Sequence, residues 1–193
     1  MLSTIFYNIF YSMSNSGKKL RFKITVIGDG RVGKTSLIKK FTRGTFETDY
    51  VETIGAQFSK FDKEIDEDHV RLLFWDIAGQ RDLDFLRPSF YRQSDAAIIV
   101  YSLEENTLGR NSFKHIQNWH EDIKRFCGNI PIMLFANKID LIDMDNLDHS
   151  EIREIVNEHY FLGYYITSAK TGQGVHEAFD AIIEKLYYKS QAI

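Results

Sequence analysis

The chain has 193 residues, a formal net charge of −3, and is 44% hydrophobic and 26% charged. That length suits a single domain with a packed core and excludes global disorder. The mild acidity argues against a general nucleic-acid binder, the lone Cys127 excludes an intrachain disulfide and fits a reducing cytosol, and no apolar run of about 18 residues is present to span a membrane.

Residues 1–18 read as an N-terminal extension. If residues 2–13 are helical, Leu2, Ile5, Phe6, Ile9, Phe10 and Met13 share an arc of about 140° at 100° per residue. Lys18, Lys19 and Arg21 follow, as a basic patch beside a helix lying on a membrane surface would, so peripheral membrane contact through residues 1–13 is one expectation. The poor helix formers in this stretch leave an extended or disordered segment as the alternative, and Met13 is a second candidate start. From residue 19 to 190 strands and helices alternate. Strands are expected at 20–28, 56–64, 69–76, 96–102, 130–136 and 163–168, and helices at 34–42, 84–92, 110–126, 148–160 and 174–188. Asp66-Glu67-Asp68 is a polar turn between two alternating strands, so the first hairpin should be antiparallel. Runs such as Ala96-Ala97-Ile98-Ile99-Val100 suit strands buried on both faces. The fold class is therefore α/β: a six-stranded, mostly parallel sheet with one antiparallel edge strand, flanked by about five helices. Residues 191–193 form a short C-terminal end. No cysteine lies among residues 187–193, so no prenylation is expected of this chain.

Ligands of such sheets bind beyond the carboxyl ends of the strands, and the polar segments collect there. After the first strand, Gly28-Asp29-Gly30-Arg31-Val32-Gly33-Lys34-Thr35 fits the phosphate-cradling pattern G-x-x-x-x-G-K-[ST]. Backbone N–H groups from Gly30 to Ser36 can surround a polyphosphate, Lys34 adds a point charge, and the Thr35 hydroxyl can bind Mg²⁺. The side chain of Arg31 is read as solvated. The third strand ends in Trp75-Asp76-Ile77-Ala78-Gly79-Gln80. Asp76 can hold Mg²⁺ through water, Gly79 can offer an N–H to a terminal phosphate, and Gln80 can orient an attacking water. Asn137-Lys138-Ile139-Asp140 ends the fifth strand, and the Asp140 carboxylate can accept two hydrogen bonds from guanine, a donor pair that adenine lacks. Taken alone, this tetrapeptide reads equally well as a strand-to-loop cap. In Thr167-Ser168-Ala169-Lys170 a backbone amide can meet the guanine carbonyl; Phe46 can stack on the base and Thr53 can complete Mg²⁺.

Five segments in this order resemble a small GTPase of the Ras superfamily over about residues 20–188. The resemblance implies a G domain of the P-loop NTPase class over 19–190. It implies Mg²⁺ as cofactor, GTP and GDP as substrate and product, and slow intrinsic hydrolysis by Gln80, Lys34 and Thr53. It adds Tyr50, Lys138 and Lys170 to the nucleotide contacts, and metal binding by Thr35, Thr53 and Asp76. Segments of roughly 46–55 and 77–92 would be the switches. Partners would be an exchange factor, an activating protein and effectors, with no nucleic acid among them. The location would be cytoplasmic, with the membrane contact named above. Within the superfamily the Rab branch is the nearest resemblance, through Ile54-Gly55-Ala56-Gln57-Phe58, Ser112-Phe113 and Trp119, the last read as ordinary packing. Phe58, Trp75 and Phe90 fall where Rab proteins carry effector-contacting aromatics, which points to membrane trafficking or signalling. Arg81 departs from the family, whose acidic residue there assists GDP release; a second reading has Arg81 supply charge to the transition state in cis. The competing function is a nucleotide-bound scaffold that binds partners and hardly turns over. An ATP-dependent P-loop kinase is a third reading, opposed by Asn137-Lys138-Ile139-Asp140.

Overall fold

The computed structural model describes residues 17–47, 52–79, 87–143 and 147–192. Six strands, β1 (Lys19–Ile27), β2 (Ala56–Ile65), β3 (Asp68–Ile77), β4 (Ala96–Ser102), β5 (Ile132–Asn137) and β6 (Tyr164–Thr167), form one sheet in the order β2-β3-β1-β4-β5-β6. All neighbours are parallel except β2 and β3, which pair antiparallel from Ala56↔Ile77 to Ile65↔Asp68. The hairpin and the mixed sheet expected from the sequence are both present.

Strand β4 shows why the middle of the sheet is apolar throughout. Every one of its residues is buried, with Ala96, Ile98 and Val100 facing one core and Ala97, Ile99 and Tyr101 the other. On the first face lie α1 (Lys34–Arg43) and α6 (Val175–Gln191). Their contact is aromatic: Phe41 stacks on Phe179 at 4.5 Å between centroids, and Phe74 and Phe135 meet Phe179 edge-on at 5.2 Å. The second face carries α2 (Arg87–Tyr91), α3 (Thr107–Lys114), α4 (Ile116–Cys127) and α5 (Ser150–Glu158). Edge strand β2 alternates between exposed and half-buried residues, as a strand with one solvated face must.

Most element bounds shift by one to three residues, and the helices near 84–92 and 110–126 and the segment after β5 need comment. The helix expected at 110–126 begins at Thr107, where the Asn106 side chain accepts from the Gly109 N–H at 3.0 Å, and it breaks at His115, whose ψ of −3° leaves the helical value. Of the helix expected at 84–92, the described part is Arg87–Tyr91. A single 3₁₀ turn, Ile139–Leu141, follows β5 and starts after Lys138 in the left-handed region at φ 73°. The N-terminal segment 1–16, with its expected amphipathic helix, lies outside the described residues, as do Tyr50, Gln80 and Arg81. Among the described residues no helix is long and apolar enough to cross a membrane.

At the far end of the sheet from the carboxyl ends of β1 and β3, one carboxylate gathers three partners. Asp68 accepts from the Lys18 N–H at 2.6 Å, the Tyr187 hydroxyl at 3.1 Å and the Gln191 amide at 2.7 Å. The start of β1 and the end of α6 are thereby tied to the β2–β3 turn.

Candidate functional site

The loop Gly28–Gly33 runs from β1 into α1 and lines a cavity of about 310 Å³ at the carboxyl ends of the strands. Gly33 is held at φ 99°, and a Cβ there would lie 2.3 Å from the Asn137 amide nitrogen, so the turn admits no side chain. Gly79 is hemmed in by backbone instead: its Cβ would meet the Asp29 carbonyl carbon and the Gly30 nitrogen at 2.4 Å. Gly30 is the opposite case, with open space where a side chain would stand.

Lys34 opens α1, and its buried ammonium donates to the carbonyls of Gly28 at 2.8 Å and Asp29 at 2.7 Å. Burial lowers its pKa to about 8, against the opposing pull of the Asp76 and Asp29 carboxylates. The charge is desolvated and aimed at the loop, where a polyphosphate would repay that desolvation.

Thr35, Thr53 and Asp76 converge although they come from α1, the 52–55 connection and the end of β3. The Thr35 hydroxyl lies 3.0 Å from that of Thr53 and donates to Asp76 Oδ2. Thr53 reaches the same oxygen at 3.4 Å. Burial raises the Asp76 pKa, the Thr35 hydrogen bond and Lys34 opposing it. Its other oxygen, Oδ1, is buried and has no hydrogen-bond partner among the described residues. An all-oxygen donor set with an unsatisfied carboxylate oxygen suits a hard cation such as Mg²⁺.

The other end of the cavity is built by β5 and β6. Asn137 donates through Nδ2 to the Val32 carbonyl at 2.8 Å and accepts at Oδ1 from the Ala169 N–H at 3.1 Å. Its amide therefore straps the phosphate loop to the 168–170 turn, and of the backbone amides the sequence reading offered to a base, that of Ala169 is bound to Asn137. Asp140 Oδ1 accepts from the Ser168 hydroxyl at 2.6 Å, and Lys170 approaches its Oδ2 at 3.9 Å. Asp140, Lys138, Lys170 and Phe46 all line the cavity, as do Arg31 and Ser36. Gly30, Gly33, Lys34, Thr35, Thr53, Gly79, Asn137 and Ala169 do so as well. Val32 instead lies in the core and contributes its carbonyl.

Two participants escaped the sequence reading. Glu104, just past β4, accepts from the Lys138 ammonium at 2.5 Å and the Ser102 hydroxyl at 2.9 Å. Burial pushes its carboxyl up, but these hydrogen bonds prevail and hold it below the ordinary value. The signal available was position, since β4 was the one central strand end given no role. Lys39, one turn beyond Thr35, also lines the cavity and pairs with Glu47 at 2.6 Å.

Trp119 does more than pack. Its indole N–H donates to Asp29 Oδ1 at 2.8 Å, and His115 Nδ1 meets Asp29 Oδ2 at 2.7 Å. Phe58, Trp75 and Phe90 form one aromatic row with centroids 6.4 Å and 6.2 Å apart, and Lys23 lies 4.4 Å over the Trp75 ring. Phe58 is 69% exposed. Cys127 is half-buried at the end of α4, where burial pushes its thiol up and Sγ donates to the Tyr91 carbonyl at 3.0 Å, an inert rather than a reactive setting.

A family model described as the Ras family matches residues 23–188. That span is most of the chain, and the chain belongs to the Ras family. It is accordingly a small GTPase, a GTP-binding switch of the kind that binds GTP and GDP with Mg²⁺ and interacts with exchange factors, activating proteins and effectors.

Proposed function

We propose that this Ras-family protein is a slow, Rab-like GTPase whose GTP state recruits an effector in membrane trafficking or signalling. The observation that carries the reading is convergence on one cavity: the buried Lys34 charge, the Thr35 and Thr53 hydroxyls with the Asp76 carboxylate against them, and the Asp140 carboxylate. Thr35, Thr53 and Asp76 would hold Mg²⁺, which when bound neutralises charge on phosphate oxygens. Lys34, its ammonium held by the Gly28 and Asp29 carbonyls, turns its remaining N–H to phosphate oxygens and stabilises the charge that develops there. The Gly79 N–H faces a terminal phosphate, and Gln80, next in the chain, orients the attacking water. Asp140 accepts from guanine, Phe46 covers the base, and Lys138, fixed by Glu104, walls the same end. Thr53 lines the other side of the cavity, and Tyr50 is a further nucleotide contact that the family resemblance implies. The row of Phe58, Trp75 and Phe90 is the effector face, because it is aromatic, contiguous and partly exposed.

Single-turnover phosphate release from GTP, with ATP as the control, tests the reading. Release from GTP that Mg²⁺ removal or Gln80→Leu abolishes supports it. Tight GTP binding with no release, even with cell extract added, would support the scaffold instead. Pelleting with anionic vesicles, with and without residues 1–12, tests the membrane contact.

A further inference from the structure

Asp29 puts a carboxylate into a loop whose task is to hold polyanions. Its side chain is held from outside the loop, both oxygens occupied: Oδ1 by the Trp119 indole N–H at 2.8 Å and Oδ2 by His115 Nδ1 at 2.7 Å. A carboxylate only accepts, so His115 carries its proton on Nδ1. His115 caps α4, and the Trp119 backbone N–H bonds back to its carbonyl at 3.0 Å, so the two donors stand one turn apart as a matched pair for one carboxylate. Trp119 is buried and cannot swing away. The main chain of Asp29 is committed too. Its carbonyl accepts from Lys34 at 2.7 Å, and its carbonyl carbon lies against Gly79. On the indole's own face rests the Arg87 guanidinium, 4.3 Å from the ring centroid, at the start of α2.

We propose that Trp119, assisted by His115, is a positioning residue of the nucleotide site, one that clamps the Asp29 carboxylate away from the phosphates and so fixes the peptide on which Lys34 and Gly79 bear. The proposal rests on the guanine-nucleotide reading above. Without the clamp the carboxylate is free to turn toward like charge, and the loop loses the register that its N–H groups need. The clamp acts only through Asp29. Loss of the indole N–H therefore matters when the carboxylate is present and is neutral when it is absent, which ordinary core packing by Trp119 would not give.

The test is dissociation of mant-GDP from the full chain with Mg²⁺, in a double-mutant cycle of Trp119→Phe and Asp29→Ala. Loss of one hydrogen bond to a charged group predicts about tenfold faster release for Trp119→Phe alone. The same substitution in the Asp29→Ala background should change the rate less than twofold. His115→Ala, at a more exposed position, runs the same cycle should Trp119→Phe fail to fold, with a several-fold acceleration expected only when Asp29 is present. An unchanged rate for the single variants, or equal accelerations in both backgrounds, overturns the clamp. Wild-type protein that fails to retain mant-GDP at all overturns the nucleotide reading and the clamp with it, whereas normal wild-type retention with additive variants overturns the clamp alone.

Discussion

The hydroxyl of Thr53 lies 3.0 Å from that of Thr35, and both reach one carboxylate oxygen of Asp76. Three oxygen-bearing side chains from separate segments thus share a point next to a buried lysine. The cluster leaves Asp76 Oδ1 unpaired among the described residues, a cost that a cation at this point would remove.

Thr35→Ala should therefore weaken nucleotide binding only while Mg²⁺ is present. We expect GDP affinity in Mg²⁺ to fall by about tenfold to a hundredfold, the value of one or two charge-assisted contacts. With EDTA the variant and wild type should converge. Equilibrium titration of mant-GDP under both conditions measures this, and an equal loss in EDTA would count against metal binding at Thr35.

Asp140→Asn should invert base selectivity. The new amide can keep its oxygen on the Ser168 hydroxyl, now 2.6 Å from Asp140 Oδ1, and turn its N–H₂ toward the base. Guanine then meets a donor where it needs an acceptor, whereas xanthine, with an oxygen in place of the exocyclic amine, fits. GTP affinity should drop about 10²–10⁴-fold and xanthosine triphosphate should become the better ligand, as read by competition against mant-GDP.

Lys34 predicts a pH dependence of stability in protein stripped of nucleotide. Burial lowers its pKa from 10.5 to about 8. Between these values the unfolded chain binds more protons than the folded one, so stability rises with pH across that window and is lowest below pH 8. Raising the pH from 7 to 9.5 should add roughly 2 kcal/mol through this group. Urea unfolding of wild type should show the rise relative to Lys34→Met, in which it should vanish.

The two glycines of the cavity should respond oppositely to one methyl group. Gly79→Ala forces a Cβ to 2.4 Å from loop backbone that cannot yield. A loss of about 1–3 kcal/mol is expected, or several degrees in Tm by thermal melting. Gly30→Ala meets no atom within 4 Å and should leave Tm within a degree or two. Its effect should fall on hydrolysis, through bulk beside the terminal phosphate. A stable Gly79→Ala or an unstable Gly30→Ala would contradict the geometry.

The phosphate loop and the positions of the strands were legible because each leaves a local trace: a fixed spacing of glycines before Lys34, or an apolar run such as 96–100. The antiparallel hairpin was legible from the polar turn at 66–68 between two alternating strands. Contacts between distant positions left no such trace. Trp119 lies 90 residues from Asp29, and Lys138 lies 34 from Glu104, so neither pair has a period or motif to betray it. Trp119 read as packing because an indole's hydrogen-bond partner is invisible in sequence. Asn137 belongs to a legible motif, yet both ends of its amide bind the protein itself, a structural task that the motif does not spell out. The break at His115 was missed because apolar periodicity continues across it.

The junction at Asp68 carries a last consequence. Strand β1 leaves it at Lys19 and delivers the phosphate loop after Ile27, about 26 Å away at roughly 3.3 Å per residue. The end of α6 is fastened at the same place, Lys18 reaching Gln191 at 2.7 Å. Lys18 and Gln191 therefore share one pole of the described domain, and the cavity occupies the other. A handle attached at Lys18 or Gln191 themselves would leave the cavity facing away from it.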